Sequence, residues 1–228
     1  MNKYMNNLLI LGAGGHGMVV AELAKLSGLY RNIVFLDDQI KNRSTTQLGQ
    51  KIIGEFNSFR ENKFKLEYQE AIVAIGDSAM RVLKTRELLK EGFKVPILKH
   101  PTSSISTNTS IERGCVFMAN SSIQTGCEIG LSCIINTSAS FDHFGIMNEG
   151  VHLCPGVNVA GNVHIGKNTW IGIGSSVIQN IKIGDAVTVG AGSVVINDLE
   201  NNNIYFGIPA KKSSIKKKNC IFHGKSIS

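Results

Sequence analysis

Ile105, Ile111, Phe117, Ile123, Ile129, Ile135, Phe141, Met147, Leu153, Val159, Ile165, Ile171, Val177, Ile183, Val189 and Val195 stand six residues apart, and each is apolar. With 43% of the chain hydrophobic, such an unbroken run in one phase has a chance probability on the order of 10⁻⁶. A helix repeats every 3.6 residues and a lone strand every two, so neither accounts for the period. A coil of short parallel strands does, each hexad supplying one flat face and one corner and three hexads closing a triangular turn. The position two before each apolar residue, from Ser103 and Thr109 through Cys115, Ser121, Cys127, Cys133, Ala139 and Gly145 to Ser193, is small or β-branched, as a cramped interior requires. The position after it is Gly at 130, 166, 172, 184 and 190, which reads as corners that demand unusual φ. The pattern predicts a left-handed parallel β-helix of hexapeptide repeats, about five coils long.

The repeat occupies the second half of 228 residues, so the first half forms its own unit. Leu8-Leu9-Ile10-Leu11 reads as a buried strand that ends in Gly12-Ala13-Gly14-Gly15-His16-Gly17, followed by an amphipathic helix over 18–26 that stops at Ser27-Gly28. A second strand over 32–36 closes on Asp37-Asp38, about twenty residues after the loop, where nucleotide-binding folds place a ribose acceptor. A strand over 71–75 ends in Gly76-Asp77-Ser78, and a helix over 80–90 and a strand over 95–99 follow. This alternation predicts an α/β, Rossmann-like small parallel sheet with its ligand at the carboxyl ends of the strands. Glycines there let backbone amides approach phosphate, and the helix start adds a positive dipole end. The expected boundaries are 1–98 for this nucleotide-binding domain, 99–212 for the β-helix and 213–228 for a basic tail.

Lys and Arg outnumber Asp and Glu by 24 to 17, a net charge of +7. The tail carries Lys216, Lys217, Lys218 and Lys225, but no aromatic residues are interleaved for stacking, so no nucleic-acid partner is expected. Positive potential suits polyphosphate ligands instead. No apolar run approaches a membrane span and nothing reads as a signal peptide, which predicts a cytoplasmic protein. The five cysteines read as reduced packing residues, three of them at interior coil positions, and no metal-ligand spacing joins them.

Among the six histidines, His143 and His152 fall mid-coil. Eighteen residues return to the same corner, so His143 stacks beneath Gly161, leaving a slot for a thin ligand arm beside a base. His100 and His164 read as hydrated residues without partners. The histidine separations of nine and twelve do not match a metal site, and none is expected.

Taken together, Gly12 to Gly17, Phe35-Leu36-Asp37-Asp38, Ala74-Ile75-Gly76-Asp77 with Arg81, His100-Pro101, Asn136-Thr137, Asp142-His143, Val159 to Val163 and Gly207-Ile208-Pro209-Ala210-Lys211 resemble one family over roughly residues 6–212. It is the sugar acyltransferase family typified by the sialic acid O-acetyltransferase NeuD and the bacillosamine N-acetyltransferase PglD. The resemblance implies a homotrimer with acetyl-CoA as cosubstrate in the groove between neighbouring coils, and a nucleotide-activated sugar as the other partner. It implies that the loop residues Gly12, Gly14, Gly15, His16 and Gly17 lie near the phosphates and Asp37 and Asp38 near base or ribose, with Gly76 and Asp77 also among the substrate-binding residues. His143 matches the general base, with Asp142 beside it, while His152, Asn136, Gly161 and Gly190 line the acyl and pantetheine site. The implied reaction is acetyl transfer to the 4-amino group of a nucleotide-linked amino sugar. Transfer to a hydroxyl of sialic acid or another sugar is the alternative, and a non-catalytic sugar-nucleotide-binding scaffold is the alternative of another class. Two positions depart from the family: Phe144 stands where an acid usually follows the histidine, and Met18 where a lysine often follows the loop.

Overall fold

A computed structural model describes residues 6–214; the basic tail beyond Ser214, with Cys220 and His223, lies outside the described residues. The described residues divide into two compact units, 6–76 with 80–101, and 77–79 with 102–214.

The first unit is built on a parallel sheet in the order β3-β2-β1-β4, from β1 (Asn6–Leu11), β2 (Tyr30–Leu36), β3 (Ile52–Gly54) and β4 (Glu70–Val73). Leu8 to Leu11 of β1 are wholly buried, the continuous apolar run that a central strand covered on both faces requires. Helix α1 (Gly15–Leu26) buries Gly17, Val20, Ala21, Leu23 and Ala24, a stripe at helical spacing, and ends on Gly28 at φ +66°, whose amide donates to the Lys25 carbonyl. The helix therefore begins three residues earlier than its apolar pattern suggests, which puts His16 and Gly17 in its first turn. Helix α2 (Asn62–Glu67) precedes β4, and α3 (Ser78–Lys90) follows it. The short β3 and α2 carry no periodicity and were not expected. The segment expected as a strand over 95–99 is one only at Leu98–Lys99.

The second unit is the left-handed parallel β-helix, made of two-residue strands from Ser104–Ile105 to Val194–Val195, with each strand as far as Ser176–Val177 paired to the one eighteen residues on. Each strand turns its second residue inward. From Phe117 to Val195 these fourteen residues are no more than 3% exposed, and full burial of such a side chain stabilises by about 1.5–3 kcal/mol. Backbone amides bond carbonyls one coil away, as Ser140 N does to Val157 O at 2.8 Å. Cys115, Cys127, Cys133 and Cys154 are buried and unbridged. Burial pushes the Cys154 thiol up to about 12, so it packs as a small apolar group.

The glycine-rich corners need a correction. Left-handed φ falls three residues after each inward residue, at Gly114, Asn120, Gly126, Ser132, Ser138 and so on to Gly192, and not at the glycines one residue after. Those glycines answer to a different constraint. A Cβ at Gly130 would lie 2.7 Å from Glu149 N, and one at Gly166 would lie 2.4 Å from Gly184 C. The backbone of the next coil occupies the space a side chain would need.

Candidate functional site

At the carboxyl ends of β1 and β2 the glycine loop splits into two kinds of residue. A Cβ on Gly17 would sit 2.0 Å from the Gly12 carbonyl oxygen, and Gly12 itself takes φ +108° with Ala74 O 2.8 Å from where a Cβ would lie. These two glycines make the tight strand-to-helix turn possible. Gly14, Gly15 and Gly76 have nothing within 4 Å of the same position. Their backbone is open to an approaching group.

Asp37 fastens this loop. Its Oδ2 accepts from Ala13 N at 2.7 Å and its Oδ1 from Gln39 N at 2.8 Å, while Asp38 Oδ1 accepts from Phe56 N at 3.0 Å. Neither is a merely solvated turn acid, although each carboxylate oxygen keeps a second lone pair for a hydroxyl donor. His16 is part-exposed as a residue, but its Nε2 is sheltered and has no hydrogen-bond partner among the described residues. Burial first, and then the positive charge of Arg81, push its imidazole down to about 4, so it is neutral at physiological pH. Arg81 is a buried side chain whose Nη1 donates to the Ile75 and Gly76 carbonyls at 3.0 and 3.1 Å. Arg81 has no role that the sequence alone assigns. Its register on α3 with the buried Val82, Thr85 and Leu88 was the available signal.

On the coil, His143 occupies the corner between Ser140–Phe141 and Ile146–Met147. Its backbone is pinned on both sides: Asp142 N donates to Val159 O at 3.0 Å, Asn162 N to His143 O at 2.9 Å, and Phe144 N to Thr125 O at 3.0 Å. Asp142 Oδ1 accepts from the His143 main-chain amide at 2.8 Å, so it holds the corner through the backbone. Among the described residues nothing hydrogen-bonds the His143 ring. Its one described ring neighbour is Phe144, edge-on with centroids 5.5 Å apart. Gly161 lies over the imidazole as the eighteen-residue register requires, and a Cβ there would fall 2.3 Å from His143 Cε1 and 2.5 Å from Nε2. Beside this corner a groove of about 420 Å³ runs across successive coils over Ser122, Ser140, Asn158 and Ser176, with Asp142 and Ala160 along it. Small and polar side chains make up much of its lining.

His152 is not a corner residue. It points outward from the strand His152–Leu153, where Asn136 Nδ2 lies 3.3 Å from Nε2 and Trp170 meets the ring edge-on at 6.4 Å. Asn136 in turn accepts from Thr137 N through Oδ1, which fixes its amide. His164 repeats the device, its Nε2 3.0 Å from Asn148 Nδ2, so the expectation that it lacks a partner is corrected: the partner lies sixteen residues back, one coil less two. Nine residues, half a coil, separate His143 from His152, so a single chain does not bring them together. At Gly190 the space for a side chain is taken by Phe206, whose Cβ would be 2.8 Å away. Among the described residues no three His, Cys, Asp or Glu side chains gather to hold a metal ion, and no helix is long and apolar enough to cross a membrane.

Residues 7–88 match the PglD N-terminal domain and residues 162–197 the bacterial transferase hexapeptide repeat. The acetyltransferase domain of PglB from Neisseria gonorrhoeae is 36% identical and superimposes over 91% of this chain and all of its own with a TM-score of 0.87. The chain belongs to the NeuD/PglD-type family of hexapeptide-repeat sugar acyltransferases. Within that family, PerB from Caulobacter crescentus, solved with CoA and GDP-perosamine, is 30% identical over 92% of this chain and 98% of its own, with a TM-score of 0.85. A GDP-perosamine N-acetyltransferase of Escherichia coli O157:H7 is 26% identical over 180 residues, 77% of this chain and 79% of that one. The PglB domain has also been solved with acetyl coenzyme A, at 36% identity and a TM-score of 0.86.

Proposed function

We propose that the protein transfers the acetyl group of acetyl-CoA to the 4-amino group of a nucleotide-linked amino sugar, with His143 as general base. The observation that carries this reading is the His143 corner. An exposed imidazole with no hydrogen-bond partner among the described residues stands under a glycine and beside a groove that runs across successive coils, so a ring nitrogen is free to take a proton while a thin acyl-bearing arm passes its face. In the reaction the amine nitrogen attacks the thioester carbonyl. A C–N bond forms and the C–S bond breaks, and the proton lost by the amine goes to His143 and from there to the departing thiolate. Imidazole suits both halves because the ring nitrogen that accepts the proton can also give it up.

The open Gly14, Gly15 and Gly76 would admit the diphosphate near the start of α1, with neutral His16 at their side and Asp37 and Asp38 able to accept from ribose or base. Gly161 would face the acyl arm. His152, held by Asn136, lies half a coil from His143, so a site that uses both draws them from adjacent chains, which favours a homotrimer. Gly190 has a packing reason of its own in Phe206 and contributes at most backbone. The related proteins solved with CoA, acetyl coenzyme A and GDP-perosamine support the same substrate pair.

The test is thiol release from acetyl-CoA with GDP-, UDP- and dTDP-linked 4-amino sugars, followed by mass analysis of the product. One of these acceptors should gain an acetyl group. Activity on N-acetylneuraminic acid alone would overturn the reading in favour of O-transfer, and no turnover with any acceptor would leave a binding scaffold.

A further inference from the structure

The left-handed position of the coil is held by Gly, Asn, Ser or Ala at 114, 120, 126, 132, 138, 150, 156, 162, 168, 174, 180, 186 and 192. At 144 it is held by phenylalanine, at φ +54°. A bulky residue in this region is strained, and Asn or Gly would be relaxed there. Burial gives nothing back, because Phe144 is 60% exposed. The ring nevertheless has two close neighbours. It lies over Gly126, one coil earlier, where a Cβ would fall 2.4 Å from Phe144 Cδ1, and its edge meets the His143 imidazole at 76°. A strained and exposed aromatic ring beside the base has no role in the fold that a smaller residue would not fill better.

We infer that Phe144 is the platform on which the acceptor sugar rests, the apolar C–H face of the pyranose stacking on the open face of the ring so that the nucleophile meets His143. This rests on the acetyltransferase reading. The π face is electronegative and the C–H bonds of a pyranose face are weakly positive, so the two attract. Phe144 thus acts on substrate directly and also fixes the tilt of the imidazole by its edge, in the place where the family usually carries an acid.

The decisive variant is Phe144→Asn, which installs the residue found at the same turn position at 120, 162, 168 and 180. Relief of strain should raise the melting temperature by about 2–4 °C, while the acceptor KM rises about tenfold or more and the acetyl-CoA KM is unchanged. Phe144→Tyr, which keeps the ring, should retain the acceptor KM. A structural role would move stability and activity in the same direction; the platform moves them apart. An unchanged acceptor KM in an active Phe144→Asn enzyme overturns the platform and leaves the acetyltransferase reading standing. A melting temperature that falls together with the affinity for both substrates also overturns it. A wild-type protein that transfers nothing overturns the reading beneath.

Discussion

At the glycine loop the carboxylates are already engaged, Asp37 by the amides of Ala13 and Gln39 and Asp38 by that of Phe56. At the coil corner His143 has its backbone pinned from three directions and its ring bonded to nothing described. The first arrangement fixes a shape, and the second fixes a position while leaving a reactive atom free. A surface that recognises a diphosphate needs rigid backbone donors, which intramolecular bonds supply. A proton-transfer group needs an unoccupied lone pair on a rigid support. One chain meets the two needs with different folds, a sheet whose loop is tied from beneath and a coil whose corner is tied from above and below.

That contrast breaks most sharply at His143. His143→Ala should lower acetyl transfer by about 10²–10⁴-fold with the melting temperature unchanged, read by thiol release and thermal unfolding, because the imidazole supports no part of the fold. A variant that lost stability in proportion would make His143 a structural residue like Asp37. Next in size is a pair within the loop. Gly17→Ala drives a Cβ onto the Gly12 carbonyl and should cost about 3 kcal/mol, the upper end for overpacking, a fall of roughly 6–12 °C in melting temperature. Gly14→Ala meets nothing and should leave stability unchanged while raising the acceptor KM. Equal melting temperatures for the two would dissolve the division between turn-making and ligand-facing glycines.

The smallest effect is one of pH. His16 is depressed to about 4 in the folded chain against an unfolded value of about 6.5. On acidification the unfolded chain therefore binds the proton first. The stability tied to neutral His16 is fully present above about pH 6.5 and is lost as pH falls toward 4, by about 2 kcal/mol once its part exposure is allowed for. His16→Gln should flatten the melting temperature across that interval, and an unaltered slope would remove His16 from the buried side of the loop.

The coil was legible because one rule recurs at every hexad and each inward residue repeats the test. The sheet's core strands were legible from Leu8 to Leu11 and from the acids that close β2. The three-residue β3 and six-residue α2 were not, since neither is long enough to show a period. The corner glycines were found and their reason mistaken: a missing side chain can mean unusual φ or a close neighbour, and only the backbone course distinguishes them. Gly161 over His143 followed from the eighteen-residue register alone. The Asn136–His152 and Asn148–His164 pairs follow from the same register less two, an offset that spacing suggests only once the outward residue of each strand is known.

The stacking of Gly161 on His143 and of Phe144 on Gly126 has a consequence for how such a site changes over generations. Neighbours in space are eighteen apart in sequence, so the freedom to substitute 143 is set by the occupant of 161, and that of 144 by the occupant of 126. Variation among descendants of this chain should therefore be correlated at that interval, and a larger residue at 126 or 161 should be tolerated only alongside a smaller one eighteen positions earlier or later. New acceptors would be reached by paired exchanges along a vertical column, with the rest of each coil left untouched.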